Sequence, residues 1–103
     1  TVYARLRDPG LTAEDCTTVL ESFYRHHTCV TVLPVGTYPA TKWAKHTNRA
    51  FLSVQVDTRT GRLILMSAID NLMKGQAAQA IQCLNLMAGL PGETALPLAP
   101  FYP

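Results

Sequence analysis

From Gly75 to Pro103 the chain holds one charged side chain, Glu93, and the other fifteen charges all lie in the first 74 residues. This asymmetry limits what the chain can fold into. Within the charge-poor part, Gln76 to Leu90 reads as a helix. Gly89 stands near its C-cap and Pro91 just beyond, an order that stops helices. Ala77, Ala80, Ile81, Leu84, Met87 and Ala88 share one apolar stripe at helical spacing. Cys83, Leu86 and Leu90 widen it. Gln76, Gln79, Gln82 and Asn85, all neutral amides, fill the rest. A surface helix normally turns Lys or Glu to water. Such a segment is either the central core helix of a small domain or a helix that docks on another domain or subunit. In the second case its amides would satisfy backbone groups across the interface, because buried polar groups need partners. A chain of 103 residues has few layers in which to sink a whole helix, so docking is the expectation.

Composition supports this and excludes several classes. Charged residues make up 16% of the chain, against about 25% in an average soluble domain. The apolar fraction of 48% and net charge of +2 argue against disorder. That charge is also too small to suggest a nucleic-acid partner. No run approaches the roughly 20 apolar residues of a membrane span. Thr1-Val2-Tyr3-Ala4-Arg5 lacks a basic and then apolar leader. Cys16, Cys29 and Cys83 are odd in number and without Cys-x-x-Cys spacing, which suits a reducing, cytoplasmic setting. Residues 1–103 are expected to form one domain at most. With no initiator Met, they read as a piece of something longer.

Thr1 to Leu6 is rich in strand formers and predicts a strand. Asp8-Pro9-Gly10 marks a turn. Thr12 predicts a helix N-cap, with Glu14 and Asp15 in the first turn where acids suit the dipole. Val19, Leu20, Phe23 and Tyr24 follow at helical spacing, and Arg25, His26 and His27 close the helix. Cys29 to Leu33 predicts a short strand. Residues 34–47 read as a loop long enough to be functional. Ala50 to Val56 and Arg62 to Ile69 predict a β-hairpin, with Gly61 left-handed in its turn. The second of these strands is apolar almost throughout, so both its faces are expected to be covered. The tail Pro91 to Pro103 carries four of the seven prolines and predicts an extended run over a surface. The expected fold class is α+β, a mainly antiparallel sheet with two helices in the order β-α-β-β-β-α.

Asp70-Asn71 ends a strand and Lys74-Gly75 opens a helix. A turn of this kind can present unpaired N–H groups to an anion or polar ligand. Gly75 permits close approach of a backbone. Asn71 offers a donor and an acceptor, which suits a carboxamide. The blander alternative is that Asp70 or Asn71 caps the helix and Lys74 is solvated.

The run from Ser67 to Met87 resembles the C-terminal signature of N-acetyl-gamma-glutamyl-phosphate reductases, approximately Ala-Ile-Asp-Asn-Leu-x-Lys-Gly-x-x-Gly-Gln-Ala-x-Gln-x-x-Asn. Pro39 to Asn48 resembles the family's Pro-x-Thr-Lys-x-x-x-Gly-Thr/Ser-Asn, and Val56 to Arg62 and Phe101 to Pro103 are also similar. The resemblance covers most of residues 34–103 and weakly the start. It implies an NADP-dependent enzyme of arginine biosynthesis that reduces an acyl phosphate to an aldehyde through a cysteine thioester. It also implies a two-domain plan shared with glyceraldehyde-3-phosphate dehydrogenase. In that plan the C-terminal domain builds subunit contacts, giving a homo-oligomer, and the helix after Lys74-Gly75 packs on a Rossmann domain that these residues lack. The junction would lie near the nicotinamide. Asn71 would meet its carboxamide, and Lys74 and Gly75 match the same cofactor-binding motif.

The departures matter as much. The family's nucleophile sits in a Gly-Cys-Tyr context that none of the three cysteines has. No glycine-rich cofactor loop is present. No catalytic residue is therefore carried over, and the chain alone is expected to be inactive. Ala78 and His46 stand where the family usually has Gly. Glycine serves where φ is positive, so the loop tip at His46 is expected to be shaped differently. Three other readings are weaker. His26, His27, Cys29 and His46 lack regular metal-ligand spacing, so no metal is expected. Lys42, Trp43, Lys45, His46 and Arg49 form a basic, aromatic set of the kind that binds RNA, without the stacking motifs. A hydrolase built on Cys29 lacks an identifiable orienting group. A non-enzymatic oligomerisation module remains the main alternative.

Overall fold

The computed structural model describes residues 1–100; the Phe101 to Pro103 resemblance lies outside the described residues. The chain forms strand β1 (Val2–Arg5), helix α1 (Ala13–Tyr24), strand β2 (Val30–Val32), a short helix α2 (Thr41–Ala44), strands β3 (Ala50–Asp57) and β4 (Arg62–Ile69), a π-helical turn (Met73–Ala77) and helix α3 (Ala78–Met87).

Local chemistry explains most boundaries. Thr12 caps α1 in a capping box: its hydroxyl accepts from Asp15 N–H at 3.1 Å, and Asp15 Oδ2 accepts from Thr12 N–H at 2.9 Å. In the β3–β4 hairpin, Asp57 accepts from Arg59 N–H and Thr60 Oγ1, and Gly61 takes a φ of +64°, the left-handed position expected of it. Helix α3 ends in a Schellman motif. Leu90 N–H donates to Asn85 C=O, Gly89 N–H donates to Leu86 C=O, and Gly89 has a φ of +73°.

The sheet corrects the fold expectation in one respect. Its order is β1-β4-β3-β2, with β1–β4 and β3–β4 antiparallel but β2–β3 parallel, so it is mixed. The stretch between β2 and β3, which includes the loop expected at residues 34–47, is the crossover that brings β3 back alongside β2. It contains α2, a third helix beyond the two expected. A parallel pair needs a connection of that length.

Register sets which layer covers which face. Val30 lies opposite Ala50 and Thr31 opposite Phe51, so Val30 and Phe51 point to opposite sides. Helix α1 packs over β2 and β3, with Tyr24 beside Val30 and Val32. On the other side Trp43 of α2 meets Phe51 edge-on, ring centroids 6.1 Å apart. The small core gathers Val54, Ala50, Ala68, Cys29, Leu33 and Ala44. Strand β4 is not covered on both faces as expected; only Ala68 is buried, because α1 lies over β2 and β3 and leaves β4 half-open.

The shape follows from this. The extents are 44 × 34 × 18 Å, and the radius of gyration is 15.2 Å, against about 13 Å for a compact domain of 100 residues. Among the described residues no helix is long and apolar enough to cross a membrane.

Candidate functional site

At the end of β4 the chain does not pass directly into an α-helix. Gly75 N–H bonds to Asp70 C=O and Ala77 N–H to Leu72 C=O, both five residues back. This is a wide π-type turn, a geometry found often at functional sites. Asp70 caps it: Oδ1 accepts from Leu72 N–H at 2.9 Å and from Met73 N–H at 3.0 Å. The free N–H groups expected here for an outside anion are thus taken by the chain's own carboxylate. Oδ2 of Asp70 accepts from His46 N–H at 2.8 Å. These hydrogen bonds, His46 first and then Met73, hold the Asp70 carboxyl below its ordinary range.

His46 has a φ of +61°. The loop tip is therefore left-handed here although the residue carries a side chain. The bond to Asp70 engages the N–H of this left-handed residue.

With Asp70 occupied, Asn71 is left exposed, and among the described residues no hydrogen bond engages its carboxamide. Its Oδ1 lies 2.9 Å from where a β-carbon on Gly75 would stand. The glycine is needed for the Asn71 side chain rather than for a distant backbone. A groove of about 250 Å³ runs past Asn71, with Thr41, Lys42 and Lys45 on one wall and Ile69 to Leu72 on the other.

Lys74 is not part of that groove. Its ammonium donates to Gln82 Oε1 at 2.6 Å, and the side chain is half-buried rather than solvated. It lines a separate cleft of about 300 Å³ with His27, Cys29, Gln82 and Glu93. Asn71 and Gly75 are brought together, and Lys74 faces elsewhere.

Gln82 is the residue that sequence reasoning undervalued. Its Oε1 also accepts from Asn48 Nδ2 at 3.0 Å, and Asn48, 0% exposed, donates to Cys29 Sγ as well. Asn48 N–H bonds to Pro97 C=O, while Arg49 reaches Leu98 C=O and Thr31 Oγ1. The Thr47-Asn48 pair of the family-like motif is thus structural. Arg49 and Trp43, read as part of a basic aromatic set, are spent inside the fold. No sequence signal marked Asn48 and Gln82 as partners, since 34 residues separate them.

The amides of α3 are used the same way. Asn85 Nδ2 donates to Gly92 C=O at 3.1 Å and to Thr94 C=O at 2.9 Å. These polar positions face inward, and the apolar stripe faces out: Ile81 is 45% exposed, Leu84 63% and Met87 85%. Helix α3 is no core helix. Asn85 serves this chain's own backbone and Gln82 its own side chains, rather than backbone groups across an interface as expected. The tail meets Asn85 through turns at residues 91–96 before running on past Asn48.

The three cysteines lie in different settings. Cys29 is buried, Cys83 accepts from Gln79 Nε2 on α3, and burial with Asp15 nearby raises the Cys16 thiol. Among the described residues no three His, Cys, Asp or Glu side chains gather as metal ligands.

A family model described as "Semialdehyde dehydrogenase, dimerisation domain" matches residues 1–71, ending at the junction itself. The chain belongs to this semialdehyde dehydrogenase family. Over all 103 residues it is 82% identical to the N-acetyl-gamma-glutamyl-phosphate reductase of Parasynechococcus marenigrum (strain WH8102). It is 73% identical to the enzyme of the same name from Prochlorococcus marinus (strain MIT 9313). Identity to that from Thermosynechococcus vestitus is 62%. In each case the match takes in all of this chain but only 29% of the relative's length.

Proposed function

We propose that this chain is the C-terminal part of an NADP-dependent N-acetyl-gamma-glutamyl-phosphate reductase, which turns an acyl phosphate into a semialdehyde in arginine biosynthesis. The observation that carries the reading is 82% identity across the whole chain to a reductase more than three times as long. The nucleophile and the nucleotide-binding fold belong to a preceding Rossmann domain. The two-domain plan is that of glyceraldehyde-3-phosphate dehydrogenase, and the setting is the cytoplasm.

In this reading the chain does two things. Residues 1–71 build the subunit contact of a homo-oligomer, as the family's description implies. The junction and α3 serve the cofactor side. The bound cofactor supplies the hydride. Asn71 fits its carboxamide, because its own amide is exposed and unengaged, with Gly75 clearing space beside it. Lys74 belongs to the cofactor motif but acts from behind it, tying the π-turn to α3 through Gln82. The outward stripe of α3 is the face that meets the nucleotide-binding domain.

The test is Asn71→Ala in the intact enzyme. The expected result is a higher Michaelis constant for NADPH or a lower turnover with an unchanged thermal midpoint. Unchanged kinetics would remove Asn71 from the site.

A further inference from the structure

The groove beside Asn71 has two walls from distant parts of the sequence. One is the crossover segment carrying Thr41, Lys42 and Lys45; the other is the end of β4 with Asn71. Among the described residues a single hydrogen bond joins segment 41–46 to segment 69–72: His46 N–H to Asp70 Oδ2, at 2.8 Å. The same carboxylate fixes the start of the π-turn through Leu72 and Met73. One side chain therefore ties the two walls together and fixes the point at which the chain turns away behind Asn71. A carboxylate suits this task, since hydrogen bonds to a charged acceptor are shorter and stronger than neutral ones. The crossover meets it with a left-handed residue, His46, whose backbone conformation aims the N–H at Oδ2.

We propose that Asp70 is a positioning residue for the cofactor: it does not touch the nucleotide, but it clamps the crossover wall against the junction so that Asn71 faces a groove of fixed width. This rests on the reading that Asn71 meets the nicotinamide carboxamide.

The clamp can be opened without removing the cap. In Asp70→Asn the remaining Oδ1 still accepts from Leu72 and Met73, while the new NH₂ opposes the His46 N–H, donor against donor. Asp70→Ser is a second variant, whose hydroxyl is a good helix cap but too short to reach His46. Both are made in the intact enzyme. Amide exchange at residues 45–48 should quicken, showing that the wall is released. The Michaelis constant for NADPH should rise about tenfold, the effect of losing one charge-assisted hydrogen bond, with turnover changing much less. Faster exchange with an unaltered Michaelis constant in either folded variant would overturn the proposal. So would an equal fall in turnover and in turnover over Michaelis constant, which would place Asp70 in the chemistry. Asn71→Ala separates the layers. If it alone raises the Michaelis constant, the clamp fails and the site stands; if it has no effect, both fall.

Discussion

Gly75 has no side chain where Asn71 needs room. The nearest atom to an added β-carbon would be Asn71 Oδ1 at 2.9 Å, the movable end of a side chain and not backbone. Gly75→Ala is therefore expected to displace the Asn71 carboxamide at little cost in stability, because Ala is the better helix former by about 0.5–1 kcal/mol. The expected signature is a raised Michaelis constant for NADPH beside an unchanged or slightly higher thermal midpoint. A large loss of stability would mean that the glycine serves the backbone instead. His46 gives a contrasting case. Left-handed φ is tolerated by His far better than by a β-branched residue, so His46→Val should lower stability, as chemical denaturation would show. Asn71 and Gly75 were legible in the sequence as a polar group and a small residue at a strand-to-helix turn. The role of Asp70 was legible only by half. Its capping of the turn follows from its place in sequence, but its grip on His46, 24 residues away, depends on the crossover geometry.

Helix α3 shows the limit of pattern reading at the scale of an element. Periodicity located the stripe and its end correctly, since Gly89 and the Schellman bonds do stop the helix. It could not say which side faced inward. Apolar burial would put the stripe on the core, but Asn85 and Gln82 find four partners within the chain, and buried polar groups are costly to leave unpaired. Paired substitutions separate the two faces. Asn85→Ala strips Gly92 and Thr94 of their donor and should cost about 1–3 kcal/mol. Leu84→Gln should cost about 1.5–3 kcal/mol in the intact enzyme if a second domain covers it, but under about 0.5 kcal/mol if it stays in water. The thermal midpoints of the two variants read this directly. The sheet offers a similar lesson. Strand identities were legible from alternation and turn residues, whereas the parallel pairing of β2 and β3 depended on a crossover whose short helix has only four residues.

At the scale of the whole molecule, three carboxylates respond to acid. Asp15, Asp57 and Asp70 are all held below their ordinary value of 3.8 by hydrogen bonds to Thr12, Thr60 and His46 respectively, the largest cause in each case. Their folded-state affinity for protons is lower than in the unfolded chain. The stability they contribute is thus present above 3.8 and lost as pH falls through their depressed folded values. Denaturation midpoints should decline below about pH 4, and Asp70→Asn should flatten part of that decline. The slab is thin, β4 is half-open and α3 shows its apolar stripe, which suits the proposed role of a part that completes a larger enzyme. Phosphate-dependent reduction of NADP by the semialdehyde, measured on the intact enzyme and on the purified 103-residue chain, tests this most directly. The account predicts activity in the intact enzyme and none in the chain alone. Turnover by the isolated chain, or its absence from the intact enzyme, would contradict it.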